Sequence, residues 1–180
     1  PPAVCQKTGP EQVRVHPGST PTEPPHRSRG VQPHPPKPRP ETAIASYVAK
    51  DEPAMVKLGK ALRAKMRKRL PGLNELVYVY ESQNALVIAY SPTENGGGSD
   101  ALCGIALYPR CAKLFFTQGV LLSKSDPHKL LQGSGKTVRH VALNAVADCD
   151  RAEIEVLVAA ALKLAKLRLE ASAKGSVIIK

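Results

Sequence analysis

A glycine-rich turn followed by cationic side chains is the part of the sequence best suited to binding chemistry. Glycines allow consecutive backbone N–H groups to converge on one point, where they can bind an anion, and a neighbouring lysine or arginine adds positive charge. The alternative is that the glycines only form a tight turn into an edge strand. The candidate anion-binding residues are Gly133, Ser134, Gly135, Lys136, Arg139 and His140.

The same segment matches the phosphate-binding loop of nucleotide hydrolases only in part. That motif requires a glycine five residues before Gly135, where this chain has Leu130. It also requires a helix directly after the loop, whereas the residues after Lys136 are typical of a strand. Strand alternation would place Lys136 and His140 on one face and Arg139 on the other. The sequence therefore favours simple anion binding over nucleotide hydrolysis.

A second set of candidate binding residues lies on a predicted amphipathic helix from Asp51 to about Leu70. Its polar face could follow the phosphates of a nucleic acid or contact a protein partner, or it could simply be a solvated helix face. The net charge of +11 predicts weak, non-specific nucleic-acid binding in any case. The basic residues of this face are Lys57, Lys60, Arg63, Arg67 and Lys68.

The other titratable side chains form no pattern typical of an enzyme or a metal centre. Of the four cysteines, Cys5, Cys103, Cys111 and Cys149, no two form a C-x-x-C pair. We expect reduced thiols, although Cys103 and Cys111 could approach each other across a hairpin. No Ser-His-Asp pattern and no pair of catalytic carboxylates is recognisable. We therefore predict a non-catalytic domain with no metal and no cofactor.

The elements that would position these residues form an α+β pattern. The first helix is followed by five strand-like segments, at residues 75–81, 85–90, 101–108, 112–117 and 137–143. A second helix is predicted from a capping pattern of Asp150 and Glu153 to about Leu169. Short connections favour antiparallel neighbours. The order α-β-β-β-β-β-α predicts a two-layer sandwich, with an antiparallel sheet of about five strands and both helices on one face.

Two stretches of this pattern carry a family resemblance, Lys113–Gly119 (KLFFTQG) and Leu130–Val141 (LLQGSGKTVRHV). They resemble the YdhG-like family of small bacterial domains, which has no established common function. The resemblance covers residues 46–170 and implies an α+β fold similar to that of frataxin. Because some relatives with that fold are described as intracellular iron chaperones, iron binding is the alternative function. Only Asp51, Glu52 and His140 would be near enough as ligands, and the basic helix would repel the cation.

Composition divides the chain into a tail and a domain. Residues 1–45 hold twelve of the 17 prolines and are predicted to be disordered. Residues 46–172 would form the domain and residues 173–180 a short C-terminal extension. There is no apolar run long enough to span a bilayer and no secretory signal, so we expect a cytoplasmic protein that does not contact a membrane. The expected partner is an anionic small molecule or a protein, and an uncovered sheet face or edge would favour a homodimer.

Overall fold

The computed structural model describes residues 53–180. The predicted tail, and Asp51 and Glu52 at the predicted helix start, lie outside this range. Two helices and six strands are present in the described part of the chain. In chain order they are α1 (Pro53–Arg69), β1 (Asn74–Tyr80), β2 (Ala85–Ser91), β3 (Cys103–Tyr108), β4 (Cys111–Phe116), β5 (Arg139–Leu143), α2 (Ala152–Leu164) and β6 (Val177–Ile179).

The strands form one sheet in the order β5-β4-β3-β2-β1-β6. The α+β class is confirmed, but the prediction of about five antiparallel strands is wrong. Strands β1 to β5 pair antiparallel, whereas β6 lies parallel to β1 and makes the sheet mixed. The twelve residues between α2 and β6 provide the crossover that a parallel pair needs. The segment expected to be an extension therefore supplies an edge strand.

Polar contacts fix the register of β6 against β1. The Ser176 N–H donates to Oδ1 of Asn74 at 2.9 Å, and the Ser176 carbonyl accepts from the Glu75 N–H at 2.8 Å. At the other end, the Lys180 N–H donates to the Val77 carbonyl at 2.9 Å. Between these bonds the side chain of Val177 packs against the main core. Both hydrogen bonding and apolar burial thus hold the chain end to the sheet.

Both helices pack against the same face of the sheet. Leu62 and Met66 of α1, and Ile154 and Leu157 of α2, are fully buried in one hydrophobic cluster. They lie three or four residues apart, which puts each pair on one side of its helix. The strand residues in this cluster alternate along each strand, among them Leu86, Ile88 and Tyr90 of β2 and Cys103, Ile105 and Leu107 of β3.

Helix α2 is shorter than predicted. It ends at Leu164, because Lys166 adopts a left-handed conformation (φ 53°) and the Leu167 N–H donates to the Leu162 carbonyl at 3.0 Å. This bond closes the helix end in a Schellman-type arrangement. At the start, Arg151 occupies the N-cap position and makes no capping side-chain bond. Asp150 therefore does not cap α2, contrary to the predicted capping pattern.

We call the side of the sheet away from α1 and α2 the open sheet face. Strand alternation assigns its residues. In the described part of the chain neither helix packs on it, but Ala101, just before β3, packs against its buried residues Leu76 and Ala89. The residues of this face on β4 and β5 are less buried, apart from Lys113. The open sheet face comprises Leu76, Tyr78 and Tyr80 of β1, Val87 and Ala89 of β2, Gly104, Ala106 and Tyr108 of β3, Cys111, Lys113 and Phe115 of β4, His140 and Ala142 of β5, and Ile178 of β6.

Candidate anion-binding loop

The predicted glycine-rich turn is a loop at the start of β5. Gln132 and His140 exchange two backbone hydrogen bonds, of 2.8 and 2.9 Å, and so close residues 133–139 into a hairpin-like loop. Residues 133–138 are exposed to solvent. Because β5 begins only at Arg139, Lys136 lies in the loop and not on the strand. The predicted strand alternation of Lys136 with His140 is therefore wrong.

Three of the six carbonyl groups of residues 133–138 accept hydrogen bonds within the protein. One guanidinium nitrogen of Arg139, Nη1, donates to the Gly135 carbonyl at 2.6 Å and to the Val138 carbonyl at 2.7 Å. The Thr137 carbonyl accepts from the Val120 N–H at 3.0 Å. By contrast, the N–H groups of residues 133–137 donate no hydrogen bond within residues 53–180. The loop thus presents its backbone donors to the solvent, while three of its carbonyl acceptors are already bonded to Arg139 or Val120.

Two features hold the loop in this conformation. Gly133 has φ +117°, a backbone conformation that residues with a side chain rarely adopt. Gly119 lies so close to β5 that a Cβ there would be 2.5 Å from Cβ of Arg139. Arg139 is therefore packed and hydrogen-bonded as a support for the loop. The cation best placed to meet a ligand is Lys136.

His140 lies beneath the loop, on the open sheet face. A Cβ added to Gly133 would lie 3.5 Å from its Nδ1, and its strand partner is Phe115. Burial, and secondarily the charge of Lys113, lower the pKa of His140 below its usual value. The neutral imidazole is therefore favoured. Among the described residues, no group of three or more His, Cys, Asp or Glu side chains is arranged to hold a metal ion.

The basic residues of α1 do not all have the same role. Arg63 reaches the almost fully buried Glu75 of β1, with its Nη2 2.6 Å from Oε2 and its Nε 3.1 Å from Oε1. It belongs to the interior, contrary to its prediction as a partner-facing residue. The other four predicted residues, Lys57, Lys60, Arg67 and Lys68, are exposed. At 3.6 residues per turn they span about 100° of the helix circumference.

The opposite flank of α1 is paired with the start of α2. Arg69 donates from Nη1 to the Cys149 carbonyl at 2.5 Å, and its Nη2 lies 3.2 Å from Oε1 of Glu155. Lys65 is hydrogen-bonded to Asp150, and this bond is the main reason why the pKa of Asp150 is lowered. Three basic side chains of the helix therefore hold it in place, and the outward arc is formed by the remaining four.

The three described cysteines are reduced. Cys103 pairs across the sheet with Phe116, whereas Cys111 pairs with Tyr108 at the other end of the hairpin. The suggested approach of Cys103 to Cys111 is therefore wrong. Complete burial raises the pKa of Cys103 to about 12, and burial also raises the pKa of Cys149. Such thiols behave as small apolar side chains.

Sequence reasoning missed a cleft of about 280 Å³ at the C-terminal end of α2. Two of its polar side chains are already bonded: Thr117 donates to the Ala101 carbonyl at 2.5 Å, and Asp100 accepts from the Gly97 N–H at 2.8 Å. No local signal could have indicated it, because it is formed by three segments far apart in the chain. These segments are Pro92–Leu102, Phe116–Leu122 and Ala161–Leu167.

Comparison with known proteins adds no assignment. No family model matches the chain, and no curated protein or solved structure matches it significantly. Neither helix in residues 53–180 combines the length and the apolar character needed to cross a membrane.

Proposed function

We propose that this domain is a non-catalytic binding module for small anions, and that the loop Gly133–Val138 is its binding site. The observation that carries the proposal is a difference between the backbone carbonyl groups of the loop and its backbone N–H groups. The loop carbonyls of Gly135, Thr137 and Val138 are bonded internally, while the N–H groups of residues 133–137 have no acceptor among residues 53–180. Lys136 adds a positive charge beside these donors. A phosphate or carboxylate group supplies the acceptors that this loop lacks.

The exposure of the loop limits the expected affinity. A hydrogen bond to a charged group contributes about 1.5–3 kcal/mol, so two or three such bonds give about 3–6 kcal/mol after ordering costs are included. This corresponds to a dissociation constant between tens of micromolar and several millimolar. Because the site is open to solvent, salt should weaken binding markedly. A larger ligand that also contacts neighbouring residues would bind more tightly.

We also propose that the chain belongs to the YdhG-like family and is a cytoplasmic domain. The order of elements from α1 to β5 and α2 supports membership, since it is the order that the resemblance implies. The alternative function, an iron chaperone, stays a prediction. Two of its three suggested ligands, Asp51 and Glu52, lie outside the described residues, and the third, His140, faces the positive charge of Lys113.

Titration with inorganic phosphate, followed by amide chemical shifts in NMR spectra, tests the proposed site. The expected result is a set of saturable shifts centred on Gly133 to Thr137. Lys136→Ala should weaken phosphate binding several-fold. Lys124→Ala is the matched control, because Lys124 is also exposed but lies outside the loop, in the 3-10 helix Gly119–Ser125.

Two results would contradict the proposal. One is a set of phosphate-induced shifts that map to the outer arc of α1 and leave the loop unchanged. The other is equal loss of affinity in the Lys136 and Lys124 variants, which would show that phosphate responds only to overall charge. The same titration with ferrous iron, under reducing conditions, tests the alternative function: saturable broadening centred on His140 would favour iron binding.

A further inference from the structure

Lys113 occupies an unusual position for a lysine. It lies in the middle of β4 on the open sheet face, and only 9% of it is exposed. Its ammonium group is 5.1 Å from the centre of the Tyr108 ring, a cation–π distance. Within residues 53–180 it makes no ion pair with a carboxylate. The residue as a whole is thus largely buried, and its ammonium group has an aromatic ring but no acid of residues 53–180 as a partner.

Within residues 53–180, the strands around Lys113 offer no acid that could pair with it. The strand residues that form the open sheet face include no Asp and no Glu. The nearest residues across the strands are Ala106 on β3 and Ala142 on β5. Burying an ammonium group without a partner is costly, and contact with an aromatic ring offsets only part of that cost. A bound molecule that carries a negative charge would supply the partner that residues 53–180 do not.

The same face provides apolar and aromatic surface around that charge. Phe115 lies two residues from Lys113 on the same strand, and His140 is its partner on β5. Further along the sheet, the rings of Tyr78 and Tyr80 stack with their centres 6.3 Å apart. A ligand for this surface would therefore combine one negative charge with an apolar body. A free phosphate fits poorly, because a dianion surrounded by apolar groups loses more hydration than one lysine can replace.

We propose that the open sheet face binds an apolar carboxylate, whose carboxylate group pairs with Lys113 and whose apolar body lies on Phe115 and Tyr108. This site is separate from the exposed loop and goes beyond the function proposed for it. His140, held neutral beside Lys113, can donate a hydrogen bond to the same carboxylate. The ligand is thus a small aromatic or aliphatic acid.

A second copy of the chain is a poorer occupant of this face. A symmetric dimer formed through it would bring together two surfaces whose strand residues include no acid, and each Lys113 would then be buried deeper, still without an acid on the facing strands. The homodimer predicted through an uncovered sheet face or edge stays a prediction, and the charge of this face argues only against the face as its contact. A carboxylate ligand would neutralise the charge of Lys113, whereas a second copy of the chain would add a second lysine without an acidic partner.

Calorimetric titration of the full chain with 1-naphthoate tests the proposal, with 1-naphthalenemethanol as the neutral counterpart of the same shape. We expect saturable binding of naphthoate and at least about tenfold weaker binding of the alcohol. Lys113→Met keeps the side-chain length and removes the charge, and should weaken naphthoate binding about tenfold or more. Lys124→Met, at an exposed position, is the matched control and should leave naphthoate binding unchanged.

Further arms of the titration distinguish the two proposed sites. Lys136→Ala should leave naphthoate binding intact, and Lys113→Met should leave phosphate binding at the loop intact. Amide shifts induced by naphthoate in the wild-type chain should centre on Phe115 and His140, a readout that does not depend on any variant folding. The proposal is overturned by no saturable naphthoate binding, by equal binding of acid and alcohol, by unchanged affinity in Lys113→Met, or by shifts confined to the cleft beside α2.

Discussion

The ion pair between Arg63 and Glu75 should be among the most important polar contacts for stability. Glu75 is only 2% exposed and lies on the strand face that α1 covers. Arg63 approaches both of its carboxylate oxygens, at 2.6 to 3.1 Å. We therefore expect Arg63→Met to be strongly destabilising, because it leaves a carboxylate buried with little compensation.

The magnitude follows from what remains near Glu75 after the change. Loss of one partner of a buried pair costs about 3–5 kcal/mol. Arg67 lies 4.0 Å from Oε2 of Glu75 but is half exposed, so it can replace only a small part of the lost interaction. We expect a loss of about 3 kcal/mol for Arg63→Met. The double variant Arg63→Met, Glu75→Leu should recover most of it, because it buries apolar groups of similar size and no charge.

Urea unfolding at neutral pH, followed by circular dichroism, measures these free energies. Lys57→Met serves as the control, since it changes the same residue class on the outward side of the same helix and should shift the free energy of unfolding by about 0.5 kcal/mol or less. If Arg63→Met were no less stable than Lys57→Met, the pair would not contribute as argued. If the double variant were as unstable as Arg63→Met alone, lost packing and not an unpaired charge would be the cause.

Three further predictions concern single features of the structure. Cys103, with its pKa raised to about 12 by burial, should resist iodoacetamide in the native state while the partly exposed Cys111 reacts, as peptide mass spectrometry would show. Equal rates would contradict this assignment. The pKa of His140 is lowered in the folded state, so the unfolded chain binds that proton more readily and the free energy of unfolding should fall as the pH drops below about 6.5. Between pH 7.5 and 5.5, His140→Gln should lose less stability than the wild-type chain. An identical loss in the two chains would argue against the lowered pKa. For single-stranded DNA bound non-specifically by the four outward cations of α1, the logarithm of the binding constant should fall with the logarithm of the salt concentration with a slope of about −3. Replacing Lys57, Lys60 and Lys68 with alanine should reduce the size of this slope by about 2. An unchanged slope would mean that the DNA binds elsewhere on the protein.

The antiparallel part of the fold could be predicted because each strand has its own signal in the sequence. Residues 85–90 are a continuous apolar run, and both faces of β2 are largely buried. Strand β6 has no comparable signal, since it is three residues long and pairs with a strand about 100 residues earlier. Gly175 marks the crossing, because a Cβ there would lie 1.9 Å from the Leu73 carbonyl oxygen. In the sequence alone, that glycine could equally indicate a loop.

The candidate loop could be located from its glycines, but the roles of its cations could not. Arg139 turns its guanidinium group back toward the carbonyl of Gly135, four residues earlier, and nothing in the spacing distinguishes this from an outward position. Lys113 gave no signal either, because a lysine alternating with apolar residues is typical of a strand with one solvated face. The importance of Lys113 depends on how little of the residue is exposed and on the absence of Asp and Glu from strands β2 to β5.

The distribution of acids explains why two different anion sites can exist in one small domain. Glu75, Asp150 and Glu155 all pair with α1, so acids lie on the helical side and none lies among the strand residues of the open sheet face. The two proposed sites are therefore both positively charged, and they differ mainly in how far the lysine of each site is buried. Ions in solution screen an exposed loop strongly and a lysine that is nine-tenths buried only weakly. Raising the salt concentration should release phosphate from the loop while naphthoate stays bound at Lys113, and parallel loss of both ligands would mean that one exposed surface binds them both.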